Sequence, residues 1–83
     1  MNGESGSGRR AKPLKQIAYE MIKEKIVSGE WESGRFISER ELQAELGMSK
    51  TPIRSALDRL ESTGLVVLHP NRGAVIAELS LRT

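Results

Sequence analysis

The chain has 83 residues, no cysteine and one histidine, His69. A chain of this length supports one domain with a modest core, and these counts exclude a disulfide framework and a metal site of cysteines or clustered histidines. The net charge of +2 is by itself weak evidence for a nucleic-acid partner. Because no apolar run approaches the roughly 18 residues of a membrane span and no signal peptide is recognisable, we expect a soluble cytoplasmic protein with no membrane association.

Residues 1–12 are rich in glycine and serine and are expected to form a flexible tail. Three basic residues, Arg9, Arg10 and Lys12, close this tail. They either solubilise the chain or form a basic arm that reaches a phosphate or a groove, and the sequence leaves both interpretations open.

The first predicted helix covers residues 13–28. Pro13 suits the first turn of a helix, and Gly29 suits the position just after its end. Apolar residues recur at spacings of three and four, which predicts one face packed into the core. That stripe consists of Leu14, Ile17, Ala18, Met21, Ile22 and Ile26.

A short second helix is predicted over residues 39–46. Ser38 is followed three residues later by Glu41, the pattern of a capping box in which each side chain accepts from the other residue's backbone N–H. In the loop before it, Trp31 is expected to pack at the edge of the core, although a tryptophan there could instead stack on a base. The leucines of this helix, Leu42 and Leu46, are expected to face inward.

Gly47 breaks the second helix, and Ser49 can cap a third over residues 50–63. Two short helices joined by a glycine-containing turn of about three residues predict a helix-turn-helix from Glu39 to Asp58. The inward face of the third helix is predicted to carry Ile53, Ala56, Leu57 and Leu60.

The outward face of the third helix carries Thr51, Arg54, Ser55 and Asp58. Small polar residues around one arginine suit close approach to a groove, and the free N–H groups at the N-terminus of the helix favour a phosphate. Arg54 can also pair with Asp58 at a spacing of four. Both interpretations hold in turn if the pair opens when DNA arrives.

Strand-forming residues at 65–68 and 74–77 flank a turn-rich segment at 70–73, which predicts a β-hairpin. A hairpin directly after a helix-turn-helix is the wing of a winged helix, and Arg72 is expected at its tip. His69 is assigned to the surface of this hairpin. The fold class is therefore α+β, mainly α, with three helices and a C-terminal hairpin wing.

These segments resemble the DNA-binding domain of GntR-type bacterial transcription regulators. The likeness covers residues 13–79 and ends in a stretch similar to the FadR-like branch of that family, Val75–Ser80. It is carried by the segments Gly34–Leu42 (GRFISEREL), Leu46–Arg54 (LGMSKTPIR), Ala56–Leu65 (ALDRLESTGL) and Asn71–Gly73 (NRG).

The resemblance implies a double-stranded DNA operator as partner and a set of contact residues. It implies that Arg40 reads a guanine edge in the major groove and that the start of the third helix contacts bases and phosphates. It also implies that the wing tip lies along the minor groove. The residues so implicated, beside Arg40, are Ser49, Lys50, Thr51, Pro52 and Arg54 on the helix and Asn71, Arg72 and Gly73 on the wing.

Two residues depart from the family pattern. Lys50 stands where arginine is usual, so a guanidinium that can donate two parallel hydrogen bonds is replaced by an ammonium group that acts as a single compact charge. Ser55 stands where glutamate is common, which is expected to loosen the support of Arg54. Both departures affect the operator sequence that we expect the protein to prefer.

Family resemblance also implies that residues 80–83 begin a linker to an effector-binding domain through which the full-length protein forms a homodimer, and it favours a repressor. Enzymatic function is not expected, because the sequence has no glycine-rich phosphate cradle, no nucleophilic cysteine and no pocketed carboxylate pair. No cofactor or metal is expected. The alternative is a winged-helix module for protein–protein contacts.

Overall fold

Three helices and three short strands follow one another in the computed structural model, which describes residues 12–78. In chain order they are α1 (Leu14–Val27), β1 (Phe36–Ser38), α2 (Glu39–Leu46), α3 (Lys50–Ser62), β2 (Val66–His69) and β3 (Gly73–Ile76). The predicted winged helix-turn-helix is therefore confirmed, with the predicted helix ends shifted by one residue at most. The predicted tail, apart from Lys12, and the linker at 80–83 lie outside the described residues.

The core forms where α1 and α3 pack together beneath the sheet. Four apolar residues of α3 are buried as predicted, and so are Ala18, Ile22 and Ile26 of α1. Leu14 and Met21, however, are 56% and 37% exposed, and Tyr19 is buried in their place. At about 100° per residue the buried row runs through Ala18, Ile22 and Ile26, and both mispredicted residues lie roughly a quarter turn away from its centre.

The sheet has one strand more than the predicted hairpin. All pairs are antiparallel, and the order β1-β3-β2 places the last strand in the middle. Phe36 pairs with Val75 on one side, and Val67 pairs with Val75 on the other. The hairpin of β2 and β3, called the wing below, is thus tied along β1 to the start of α2. Each hairpin strand is displaced by one residue from its predicted range.

The start of α2 is capped by one half of the predicted capping box. The Ser38 hydroxyl accepts a hydrogen bond from the Glu41 N–H at 3.0 Å. The reciprocal bond is absent from this part of the chain, because the Glu41 carboxylate pairs with the Arg35 guanidinium instead. An ion pair with a neighbouring guanidinium is charge-assisted and outcompetes a neutral backbone donor.

Trp31 is 5% exposed, which confirms that it packs into the core. Two cations flank its ring: Lys25 Nζ lies 5.6 Å and Arg35 Cζ 5.9 Å from the ring centroid. Lys25 donates hydrogen bonds to Glu45 and to Glu30, and these bonds, the one to Glu45 most strongly, raise the pKa of this lysine. The indole therefore links the end of α1 to β1 through both apolar and cation–π contacts.

None of the described helices is long and apolar enough to cross a lipid bilayer.

Candidate nucleic-acid interface

Three segments, two from the helix-turn-helix and one from the wing, meet around one shallow cleft. The cleft encloses about 310 Å³ between the start of α2, the first residue of α3 and the turn of the wing. We call it the basic cleft. It is lined by Ser38, Glu39, Arg40, Gln43, Lys50, Asn71 and Arg72. Four of the nine residues predicted to contact DNA are therefore brought together in one place.

The cations of the basic cleft are open to solvent. Arg40, Lys50 and Arg72 are all exposed, and within residues 12–78 none of their side chains forms an ion pair. The single acid in the lining, Glu39, is already neutralised by Arg54. Three uncompensated positive charges at one concave surface produce a local positive potential that the net charge of the chain does not reveal.

Arg54 pairs with Glu39, fifteen positions away, and not with Asp58. Its Nε and Nη2 donate to the two carboxylate oxygens of Glu39 at 2.8 and 2.9 Å. The predicted i,i+4 pair is therefore wrong, since a bidentate partner on α2 occupies the guanidinium. The support that Arg54 has in the structure comes from α2, and the expectation that Ser55 loosens it relative to a glutamate stays a prediction. The hydrogen bond from Arg54 lowers the pKa of Glu39, and the same bond raises the pKa of Arg54.

The first turn of α3 begins beside the basic cleft. Ser49 occupies the N-cap position, but its hydroxyl makes no capping hydrogen bond. Ser49, Lys50 and Thr51 are exposed, while Pro52 is half-buried. Pro52 has no N–H, so the uncapped donors of this turn are the N–H groups of Lys50 and Thr51, an arrangement that suits a phosphate oxygen at the positive end of the helix dipole.

The wing turn is held against α2 by its main chain. The Arg72 carbonyl accepts a hydrogen bond from the Glu39 N–H at 2.8 Å, and the Arg72 N–H donates to the His69 carbonyl at 2.9 Å. Asn71 adopts a left-handed backbone with φ of 65°. Both Asn71 and Arg72 are exposed, so their side chains are free to extend from the turn.

Gly73 is placed differently from the other predicted wing residues. It is buried, and a Cβ built on it would lie 2.1 Å from the carbonyl oxygen of Ile37. Its visible role is to let β3 approach β1 at the base of the turn. A DNA contact through its main chain stays a prediction.

The rest of α3 is used within the fold. On the side facing α1, Arg59 stacks on the Tyr19 ring at 3.9 Å and donates to Gln16 at 2.7 Å. On the side facing the wing, the Glu61 carboxylate accepts from the Leu68 N–H at 3.0 Å. Contacts on both flanks therefore fix the rotation of α3 and leave its outward side chains uncovered.

Sequence reasoning missed Glu39 and Gln43 as members of the site. Gln43 lies one helical turn after Arg40, so helical spacing alone could have placed it beside the arginine. Nothing local pointed to Glu39, because its partners come from α3 and from the wing.

Within the described residues, no group of three or more histidine, aspartate or glutamate side chains is placed to hold a metal ion.

Comparison with known proteins places this geometry among bacterial regulators. The sequence model described as "Bacterial regulatory proteins, gntR family" matches residues 14–76. An HTH-type transcriptional regulator in the TAR-I ttuE-ttuC' intergenic region of Agrobacterium vitis is 38% identical over 63 residues, which cover 76% of this chain and 37% of that protein. The gluconate operon transcriptional repressor of Bacillus subtilis (strain 168) is 40% identical over 65 residues, covering 78% of this chain and 26% of that repressor.

Among solved structures, Escherichia coli McbR/YncC aligns with a TM-score of 0.74 at 27% sequence identity, over 84% of this chain and 33% of that chain. A Listeria monocytogenes protein, Lar, aligns with a TM-score of 0.72 at 35% identity, over 83% of this chain and 32% of that chain. The chain thus spans 26–37% of the length of these four proteins.

Proposed function

The chain belongs to the GntR family of bacterial regulatory proteins, and on this premise we propose that its basic cleft and the outward face of α3 read a double-stranded DNA operator. DNA binding in transcription regulation is the function of this domain. The observation that supports it is the meeting of Arg40, Lys50 and Arg72, three exposed cations from three elements, at one concave surface.

The roles follow from how each element ends at the cleft. α3 directs its uncapped first turn outward, so Ser49, Lys50 and Thr51 are suited to a phosphate beside the major groove. Arg40 on α2 and Arg54 on α3 present guanidinium groups, which pair in bidentate fashion with the O6 and N7 atoms of guanine. Lys50 and Pro52 complete the helix end that enters the groove.

The wing turn is assigned to the minor groove. Asn71 and Arg72 extend from it, and the main chain is thin at this point because Gly73 has no side chain. The minor groove distinguishes little beyond A·T from G·C pairs. The wing therefore contributes charge and position more than sequence reading.

A protein-docking module is the second candidate function, and the lining of the cleft disfavours it. The centres of protein interfaces are depleted in charged residues, whereas this cleft is lined by polar and charged side chains alone. Three exposed cations that form no ion pair with any side chain of the described segment are the pattern of a polyanion site.

The activity of the complete regulator is proposed from its relatives. We propose a cytoplasmic homodimer that represses transcription, with dimerisation and effector binding in a domain C-terminal to this one. One relative is named a gluconate operon transcriptional repressor, and the McbR/YncC and Lar structures are about three times as long as the aligned part. Membership of the FadR-like branch remains a prediction.

Replacing Arg40 by alanine is expected to flatten sequence preference. A bidentate contact to a base discriminates by about 1–3 kcal/mol, so the ratio of random-duplex to operator Kd falls by the corresponding factor. The operator probe is the duplex that the wild-type chain selects from a random pool, measured by fluorescence anisotropy at one salt concentration. The matched control is Lys23→Ala, which removes one exposed positive charge from α1. If the Arg40→Ala chain kept the wild-type ratio, Arg40 would be a phosphate contact only.

Replacing Arg72 by alanine is expected to weaken binding to the selected duplex and to random duplex alike. The loss of one phosphate contact reduces the slope of log affinity against log salt concentration by about 0.9. The measurement is a titration of both duplexes at several salt concentrations, again with Lys23→Ala as the control for net charge. A loss confined to the selected duplex, with an unchanged salt slope, would show that the wing arginine reads a base.

A further inference from the structure

Glu39 is a buried acid at the edge of a surface that we propose binds a polyanion. Its exposed fraction is 7%, and it is the one charged residue in the buried set of the described chain. A carboxylate near DNA phosphates opposes binding unless it is neutralised or has a separate task. The contacts of Glu39 indicate such a task.

The side chain of Glu39 holds one edge of the Arg54 guanidinium. Nε and Nη2 donate to its two oxygens, which uses two of the five N–H groups of the arginine. The remaining three belong to Nη1 and Nη2, on the adjacent edge of the same plane. The Arg54 side chain is 45% exposed while that of Glu39 is 9% exposed. The arginine therefore covers the acid and offers its other edge to solvent.

The backbone of Glu39 holds the wing. Its N–H donates to the Arg72 carbonyl at 2.8 Å. One residue of α2 thus joins the wing turn through its main chain and α3 through its side chain. Arg54, Glu39 and Asn71 also line a small cavity of about 90 Å³ between α3 and the wing. The orientation of Arg54 is therefore set relative to the wing as well as to its own helix.

The pair is not expected to open when DNA arrives. Removing Arg54 from a buried carboxylate would leave an uncompensated charge, which is strongly unfavourable. This differs from the expected pair with exposed Asp58, which would open at little cost. A guanidinium that stays on Glu39 can meet DNA only through its Nη1–Nη2 edge, whose two parallel N–H groups match a guanine edge or two phosphate oxygens.

We propose that Glu39 is a positioning residue that fixes Arg54 in a single orientation, so that the sequence discrimination of the domain depends on an acid that never touches DNA. The inference rests on the proposed function, because it assigns Arg54 to the DNA-facing surface. Without Glu39 the cation remains but its orientation is lost. Affinity for DNA in general is retained, and the preference for one sequence is reduced.

The test is a double-mutant cycle between Glu39→Gln and Arg54→Ala in the full chain. Glutamine keeps the size of the side chain and the backbone bond to Arg72, but it removes the charge that orients the guanidinium. Dissociation constants are measured at one salt concentration for random duplex and for the duplex selected by the wild-type chain. Glu24→Gln, on the exposed face of α1, is the control for the same change in net charge.

Relative to the Glu24→Gln control, Glu39→Gln is expected to lower the ratio of random-duplex to selected-duplex Kd roughly tenfold, with the random-duplex Kd changed by less than about twofold. Arg54→Ala lowers the ratio by a similar factor. In the Arg54→Ala background, Glu39→Gln lowers it no further, because the acid acts only through that arginine.

Three results would overturn the inference. If Glu39→Gln weakened binding to both duplexes by the same factor, Glu39 would serve folding alone, and a lower urea midpoint of the variant would support that conclusion. If it strengthened binding to both duplexes by the same factor, Glu39 would compete with DNA for Arg54. If Glu39→Gln lowered the ratio by the same factor in the wild-type chain and in the Arg54→Ala chain, Glu39 would act independently of Arg54. If the wild-type chain itself showed no salt-dependent binding to either duplex, the proposed interface would be overturned, and this inference with it.

Discussion

Gly73→Ala is expected to lower the free energy of unfolding by about 4 kcal/mol, from overpacking and backbone strain together. A Cβ at this position would lie 2.1 Å from the Ile37 carbonyl oxygen and 2.8 Å from Ser38 Cα, and all of these neighbours are backbone atoms. No rotamer change can relieve the overlap, so β1 has to separate from β3. The bond between the Glu39 N–H and the Arg72 carbonyl lies at the same point and is lost as well.

Urea unfolding followed by the fluorescence of Trp31 measures this effect. Gly34→Ala is the matched control, because Gly34 also has a positive φ of 87° but a Cβ added there would meet no atom within 4 Å. It reports backbone strain alone, about 1 kcal/mol. Equal losses in the two variants would show that β1 and β3 are not in close contact at Gly73.

Trp31→Ala is expected to cost about 3–5 kcal/mol, the range for truncating a large buried aromatic side chain. The residue is 5% exposed and lies between the side chains of Lys25 and Arg35. Its removal leaves a cavity between the end of α1 and β1 and removes two cation–π contacts. Since a domain of this size is stable by roughly 5 kcal/mol in total, the variant is expected to be largely unfolded near its physiological temperature.

Far-UV circular dichroism during urea titration at low temperature is the appropriate measurement, since the variant has no tryptophan. Phe36→Ala serves as the control: this residue is 45% exposed, and its ring centroid lies 5.8 Å from that of His69 in an edge-to-face arrangement. It should cost about 1 kcal/mol or less. A loss below about 1 kcal/mol in Trp31→Ala would place the indole outside the cooperative core.

The helices could be predicted from sequence because their determinants are local. Periodicity identified the buried face of α3, and Ser38 and Gly47 marked the two ends of α2. In α1 the same rule selected a stripe that was too wide on one side, including Leu14 and Met21. Only the partner helix decides which edge of a broad apolar face is covered, and the sequence of α1 alone does not contain that choice.

Long-range pairs could not be predicted in the same way. β1 has only the three residues FIS, too short for an alternating pattern to be recognised. The Glu39–Arg54 pair spans fifteen positions, whereas the rule for helical ion pairs looks four positions ahead and found Asp58. The family resemblance did indicate Arg40, Lys50, Asn71 and Arg72, and these four residues line one cleft. Whether they contact DNA stays a prediction.

The order of strands in the sheet has a consequence for how the domain is made. The middle strand, β3, is the last of the six elements in the chain, so neither neighbouring strand has a partner until it arrives. During synthesis from the N-terminus, α1 and α3 can pack while β1 is still an unpaired strand. The wing then closes the sheet in the final step, when β3 pairs with β1 on one side and with β2 on the other. A nascent chain that has emerged from the ribosome only as far as Arg72 would therefore be a helical intermediate that has no closed sheet and no cleft with which to bind DNA.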